Sequence, residues 1–197
     1  MCIANTPTLE TERLILRKFT PNDIQALLDI HCDEEVNRFL PWFPIKTFRQ
    51  AEEFYKQRYE PVYQQEQGYM YAVCFKEDNV PVGYINISMN ESHDLGYGLV
   101  KKYWHKGIIS EAAFALVEQV KKDGLKYITA THDVNNPNSG GVMKKIGMKY
   151  KYSYEELVQP KNELVTFRMY QMNFDEKDDS TYMKYWNISQ VHFVEEN

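Results

Sequence analysis

The chain has 197 residues, 43% of them apolar and 26% charged, with a formal net charge of -5. A chain of this length buries enough surface for one core without a disulfide or metal staple, so a single principal domain is expected. Mild acidity without a dense basic stripe disfavours nucleic acid as the main ligand. No apolar run approaches the roughly 18 residues of a spanning helix, so no membrane partner is expected either.

The opening MCIANTPTLE has no charged stretch leading into an apolar one, and the reading is a cytoplasmic protein. Cys2, Cys32 and Cys74 are odd in number and form no C-x-x-C, which argues against a disulfide framework. His31, His93, His105, His132 and His192 show no ligand-type spacing, so no metal is expected.

Arg13 to Phe19 alternates apolar and basic residues and reads as a strand. Thr20-Pro21-Asn22-Asp23 then announces a helix whose inner face holds Ile24, Leu27, Leu28 and His31. After a loop of acids and aromatics, DEEVNRFLPWFP, Thr47 and Gln50 form a capping-box signal. It opens a helix striped by Phe48, Ala51, Phe54 and Tyr55 that runs to about Tyr59. From Tyr69 the period becomes two, and EDNVP turns the chain into VGYINISM, a hairpin.

His93 to Val100 reads as a further strand with Asp94, Gly96 and Gly98 on one face and Leu95, Tyr97 and Leu99 on the other. Two glycines on one strand face predict a close approach or a bulge. Ser110 to Lys122 is a helix with Ala113, Phe114, Leu116, Val117 and Val120 inward, ended by Gly124. A strand over Lys126 to Val134, a short helix after NNPNS ending at Gly147, and strands from Met148 to Glu155 and from Val165 to Phe174 complete the pattern. The order predicts an α/β fold: a central mixed sheet, of the α+β kind, with helices on both faces. Residues 1–174 are read as the domain and 175–197 as an extension packed on it.

Chemistry concentrates where GYGLV passes through KKYWHKGII into SEAAFALVEQV. A strand, a glycine turn and a helix start present free backbone N–H groups and the positive end of the helix dipole, a place for phosphate. The spacing matches neither G-x-x-x-x-G-K-[ST] nor G-x-G-x-x-G, which removes support for mononucleotide hydrolysis and nicotinamide chemistry.

Gly96 to Ala112, GYGLVKKYWHKGIISEA, resembles the acetyl-coenzyme A signature of the GNAT N-acetyltransferase superfamily, in the Y-W-x-K-G-x-x-[ST]-E-A form of the RimJ/RimL branch. TERLILRKFTPNDIQALL resembles that branch's opening, and NPNSGGVMKKIGM, residues 136–148, its N-x-x-S-x-x-V-x-x-K-x-G-[MF] motif. The three lie in order, and the resemblance covers about residues 8 to 174. It implies the GNAT fold, acetyl-coenzyme A as cosubstrate without a metal, and transfer of acetyl to a primary amine, a protein N-terminus or small amine, by direct attack in a ternary complex. The other class left open is a non-catalytic acyl-coenzyme A sensor. A homodimer is compatible with the sequence.

On this reading the backbone of Lys106, Gly107, Ile108 and Ile109, with His105 and Ser110 beside it, holds pyrophosphate, and Lys106 adds charge. Ile109 stands where the pattern prefers glycine or alanine, so its side chain must turn away. A bulge at Gly98 and Leu99 would splay this strand from the next and free the Leu99 N–H for the thioester oxygen. Ser139 is either the thiol-proton donor or the N-cap of the short helix, and Asn136 either orients substrate or is a turn residue. Asp94 ranks first as base, with His93 and Glu111 as alternatives. Acceptor binding is assigned to Glu34 and Glu35, beside Asp33, with Phe39, Leu40 and Trp42 as apolar walls, unless these acids are a solvated helix end and the aromatics core.

Overall fold

The computed structural model describes residues 4–196, so Cys2 lies outside the described residues. Strands β1 (Leu9–Glu10), β2 (Leu14–Arg17), β3 (Tyr69–Phe75), β4 (Pro81–Ile87) and β5 (Leu95–Leu99) form one antiparallel sheet in that order. Strands β6 (Tyr127–Asp133), β7 (Lys149–Val158), β8 (Glu163–Asn173) and β9 (His192–Phe193) form a second, in the order β6-β8-β7-β9. A single parallel bridge, Asp94 to Thr129, joins the two. The mixed sheet is thus two antiparallel halves sharing one parallel contact, because β8 inserts between β6 and β7.

Helices α1 (Ile24–His31), α2 (Glu34–Asn37), α3 (Phe48–Arg58) and α4 (Glu60–Tyr63) precede β3. A single 3-10 turn, Pro21–Asp23, opens α1, and the Asp23 carboxylate accepts from the Thr20 N–H at 2.7 Å while bonding Arg17. Thr47 and Gln50 cap α3 reciprocally, side chain to backbone at 3.2 and 3.1 Å. One expectation fails here. The loop after α1 contains α2, which forms because Asp33 Oδ1 accepts from the Glu35 and Val36 N–H groups. Helix α3 ends with Tyr59 as its C-cap, as expected, and Pro61 occupies the first turn of the separate α4, where its missing N–H costs nothing.

The first sheet is buried on both faces. Leu14, Leu16, Tyr69, Tyr71, Val73 and Ile85 pack toward α5 (Ile108–Lys122), whereas Ala72, Cys74 and Tyr84 pack toward Leu27, Ile30 and Ala51 of α1 and α3. Phe48 and Phe114, expected inward, are 53% and 47% exposed. Helix α6 (Pro137–Lys145) follows β6. After β8, Tyr182, Tyr185 and Trp186, the latter two in α7 (Lys184–Ile188), pack on Tyr152 and Tyr154, and Phe193 in β9 pairs with Ser153. The expected last strand, β8, is therefore followed by the two-residue β9. Among the described residues no helix is long and apolar enough to cross a membrane.

Candidate active site

Beyond Asp94 and Thr129, β5 and β6 part, and a cleft of about 900 Å³ opens between the halves. The β4–β5 register runs without a shift from Ile87↔Leu95 to Gly83↔Leu99, so the expected bulge at Gly98 and Leu99 is absent. The splay arises instead because β6 leaves after one bridge. Val100 N–H donates to the Val82 carbonyl and Ser88 N–H to the Asp94 carbonyl, which sets alternate residues of β5 against β4. The N–H groups of Tyr97 and Leu99 therefore face the gap, with no backbone partner among the described residues. Trp104 Nε1 donates to the Leu99 carbonyl at 2.8 Å.

The close approach predicted at the glycines is made by the protein's own side chains. A Cβ on Gly98 would stand 2.4 Å from Tyr84 Cε1, and one on Gly96 would stand 3.1 Å from Asn86 Oδ1. Both neighbours line the cleft.

At the far end of the gap, Gly107 caps α5 at φ 74, so the helix starts at Ile108, two residues before the expected Ser110. The first intrahelical bond is from Glu111 N–H to the Gly107 carbonyl, which leaves the Ile108, Ile109 and Ser110 N–H groups without one. Ile109 is buried in the core, its side chain away from the turn as required. Lys106 Nζ lies 5.4 Å from the Tyr103 ring centre, and two more cations stand at the turn, Lys145 and Arg13, the latter ion-paired with Glu111. Arg13 Nη2 and Lys145 Nζ each stand 3.8 Å from where a Gly107 Cβ would be. Neither was visible in the turn's own sequence. His105, at φ 59, lines the cleft.

Ser139 and Asn136 reach the cleft from α6. Asn136 is the N-cap, its Oδ1 accepting from the Ser139 N–H at 3.4 Å, so the alternative of Ser139 as N-cap is overturned. Ser139 Oγ lies 2.9 Å from Tyr97 Oη. Burial raises the Tyr97 phenol well above its ordinary range, which keeps it a proton donor.

Asp94 lies at the root of the gap, accepting from Thr129 Oγ1 at 3.1 Å. Burial lifts its carboxyl to about 7, against the Thr129 bond and with the help of Glu156. The competing bases are placed elsewhere. His93 sits in a turn at φ 46 against Tyr127, and Glu111 binds Thr11 and Arg13, which hold it below the usual carboxylate range against the opposing pull of its partial burial.

Among the described residues no three potential ligands cluster as a metal site. The family description "Acetyltransferase (GNAT) domain" matches residues 13–149, which spans β2 through the first residue of β7 and so the whole gap and its helix turn. The chain belongs to the GNAT acetyltransferase family. The N-acetyltransferase YoaA of Bacillus subtilis is 26% identical over 148 residues, 73% of this chain and 83% of that one. A GNAT-family acetyltransferase structure from Bacillus anthracis superposes with a TM-score of 0.73 at 26% identity, covering 85% of this chain and 98% of the other. The microcin C7 self-immunity acetyltransferase MccE, solved with acetyl-CoA and AMP, shares the fold at 16% identity and TM-score 0.72, over 83% and 93% of the two chains.

The acceptor side of this GNAT acetyltransferase differs from expectation. Glu34 lies outside the cleft, paired with Lys46 at 3.0 Å, and Asp33 is consumed as the α2 cap. Glu35 lines the cleft but is ion-paired with Lys101. Phe39, Leu40 and Trp42 do form an apolar wall. Across the mouth, Lys161 Nζ donates to the Asn37 and Arg38 carbonyls, each at 2.9 Å.

Proposed function

We propose that the protein transfers acetyl from acetyl-coenzyme A to a primary amine, a protein N-terminus or small amine of the kind used by the RimJ/RimL branch, by direct attack in a ternary complex. One observation carries this reading: the gap between β5 and β6 holds unpaired N–H groups along one edge and ends on the start of α5, whose first N–H groups no side chain caps. An amide-rich arm fits such an edge, and a pyrophosphate fits the turn beside Arg13 and Lys145. Residues 105–110 would hold it there by backbone N–H groups, with Gly98 and Leu99 along the arm.

Acetyl-coenzyme A supplies the activated acetyl group when bound. The Leu99 N–H faces the gap, so it can donate to the carbonyl oxygen as negative charge grows there. Asp94, directly or through a water, takes the proton that the amine loses as its nitrogen bonds the acetyl carbon. As the carbon–sulfur bond breaks, the Tyr97 hydroxyl turns from the Ser139 carbonyl and gives its proton to the sulfur, leaving a phenolate that accepts from Ser139 Oγ until solvent reprotonates it, while Asn136 holds Ser139 in place. The acceptor enters past Glu35, Phe39 and Trp42.

Residues 1–174 constitute the catalytic domain on this reading, with 175–197 as its packed extension. The free thiols of Cys32 and Cys74 suit work in the cytoplasm. Incubation with acetyl-coenzyme A and a panel of peptide N-termini, polyamines and aminoglycosides tests the proposal, read by free thiol and acetylated mass. Binding without thiol release from any amine would leave only an acyl-coenzyme A-binding module.

A further inference from the structure

The helical wall of the cleft carries a held guanidinium with no counterion. Arg58, the last residue of α3, lines the cleft, its Cζ 4.4 Å from the centre of the Trp42 ring and 5.8 Å from that of Phe54. Cation–π contact with two rings holds the guanidinium at the wall, and its five N–H groups exceed what Tyr59 beside it can take, which leaves donors for a ligand. Among the described residues no carboxylate lies within ion-pairing distance of it. Nearby lysines are engaged, Lys46 by Glu34, Lys101 by Glu35 and, across the mouth, Lys161 by carbonyls. A half-buried guanidinium left alone is costly, which points to a partner that arrives from outside.

The surroundings agree. Beneath the guanidinium, Trp42 Nε1 is buried without a hydrogen-bond partner, and His31 packs against Trp42 and stacks on Tyr84. The one carboxylate on this side of the cleft, Glu35, is neutralised by Lys101. Arg38 and Arg58 thus stand on the helical side, while Asp94, Glu156 and Glu163 line the strand side, where Lys161 is spent on carbonyls. Arg58 also lies on the sheet face opposite α5, so it is separate from the phosphate turn at Gly107.

We propose that the acceptor is an amine that also carries a carboxylate or phosphate, with Arg58 binding the anion in its fork while the amine faces Asp94. This rests on the reading of the cleft as an acetyl-transfer site. It replaces a simple cationic amine by a dipolar one and makes Arg58 the residue that selects for it.

The test uses matched acceptors with the full chain: β-alanine against β-alaninamide for carboxylate, and O-phosphoethanolamine against ethanolamine for phosphate. Thiol release should favour the charged member of at least one pair in kcat/KM by about tenfold or more, the scale of a bidentate charge-assisted contact. Arg58→Gln should collapse that ratio toward one through KM, and Arg58→Lys, which keeps the charge without the fork, should recover part of it. Melting curves check folding, and if Arg58→Gln melts early the Arg58→Lys comparison carries the test. Calorimetry of N-acetyl-β-alanine and N-acetyl-O-phosphoethanolamine with both variants reads the same contact without turnover.

Equal use of charged and neutral amines would overturn the inference and leave acetyl transfer standing. No thiol release, with Arg58-dependent binding of either acetylated anion, would instead sink the transfer reading and keep the anion site. Failure of both turnover and anion binding would sink both. Weakened acetyl-coenzyme A binding in Arg58→Gln would assign the guanidinium to the cosubstrate and overturn the proposal.

Discussion

Tyr97 and Ser139 hold each other at two points. Tyr97 Oη donates to the Ser139 carbonyl at 2.8 Å and lies 2.9 Å from Ser139 Oγ. A phenol has one proton, so the second contact is a donation from the serine hydroxyl. The pair acts as one donor unit. Ser139→Ala and Tyr97→Phe should each lower kcat by about tenfold or more while changing acetyl-coenzyme A affinity little, and the double variant should cost no more than the worse single one. Additive losses in steady-state kinetics would separate the two roles.

Asp94 carries a carboxyl raised to about 7, well above the usual range, chiefly by burial. As the base it must be ionised, so kcat/KM for the acceptor should rise with pH up to about 7 and then level, and Asp94→Asn should remove that limb. The same shift acts on stability with the opposite sense. The folded state holds a proton the unfolded chain releases near pH 4, so stability is highest below that and falls as pH rises through about 7. Asp94→Asn should therefore melt higher than the parent above neutral pH, an activity loss paired with a stability gain that thermal scans at several pH values can read.

His31 runs the other way. Burial, aided by the charge of Arg58 and only partly opposed by Asn37, lowers its ring to about 4 from 6.5. The folded state refuses a proton the unfolded chain takes up, so stability is complete above about pH 6.5 and declines as pH falls toward 4. His31→Phe, which keeps an aromatic ring against Trp42, Phe54 and Tyr84, should flatten this decline in denaturant titrations at acid pH.

Gly107 stands at φ 74, where a branched side chain is strained, and its missing Cβ faces Arg13 and Lys145. Gly107→Val should weaken acetyl-coenzyme A binding by at least about tenfold, since it both strains the turn and blocks backbone approach to an anion. Unchanged affinity in a folded variant, measured by calorimetry, would remove the phosphate site from this turn.

Local chemistry made much of the fold legible. Thr20 with Asp23 and Thr47 with Gln50 signal two helix starts because caps are satisfied within four residues. The strand from Tyr69 is legible as an apolar run of β-formers, and both its faces are buried, Tyr69, Tyr71 and Val73 on one and Ala72 and Cys74 on the other. What stayed hidden depends on distant partners. Tyr97 and Ser139 are 42 positions apart, and Glu35 and Lys101 are 66 apart, so neither the donor pair nor the loss of the acidic mouth has a local signature. Lys106 looked like the phosphate cation by adjacency. The fold also brings Arg13, which precedes β2, and Lys145 from α6 to that turn, while Lys106 lies against Tyr103. Sequence neighbours of a turn say which N–H groups are free, while remote elements decide which charges face them.

The single bridge between Asp94 and Thr129 means that the two ladders are joined mainly by side chains: Tyr71 and Ile85 of one half share a buried core with Ile128, Ala130 and Tyr170 of the other. The width of the gap is thus fixed by packing rather than by strand pairing. A core substitution outside the cleft, such as Ala130→Val, changes that width without altering a lining residue. Amide exchange at Tyr97 and Leu99, whose N–H groups no strand covers, reads the edge directly.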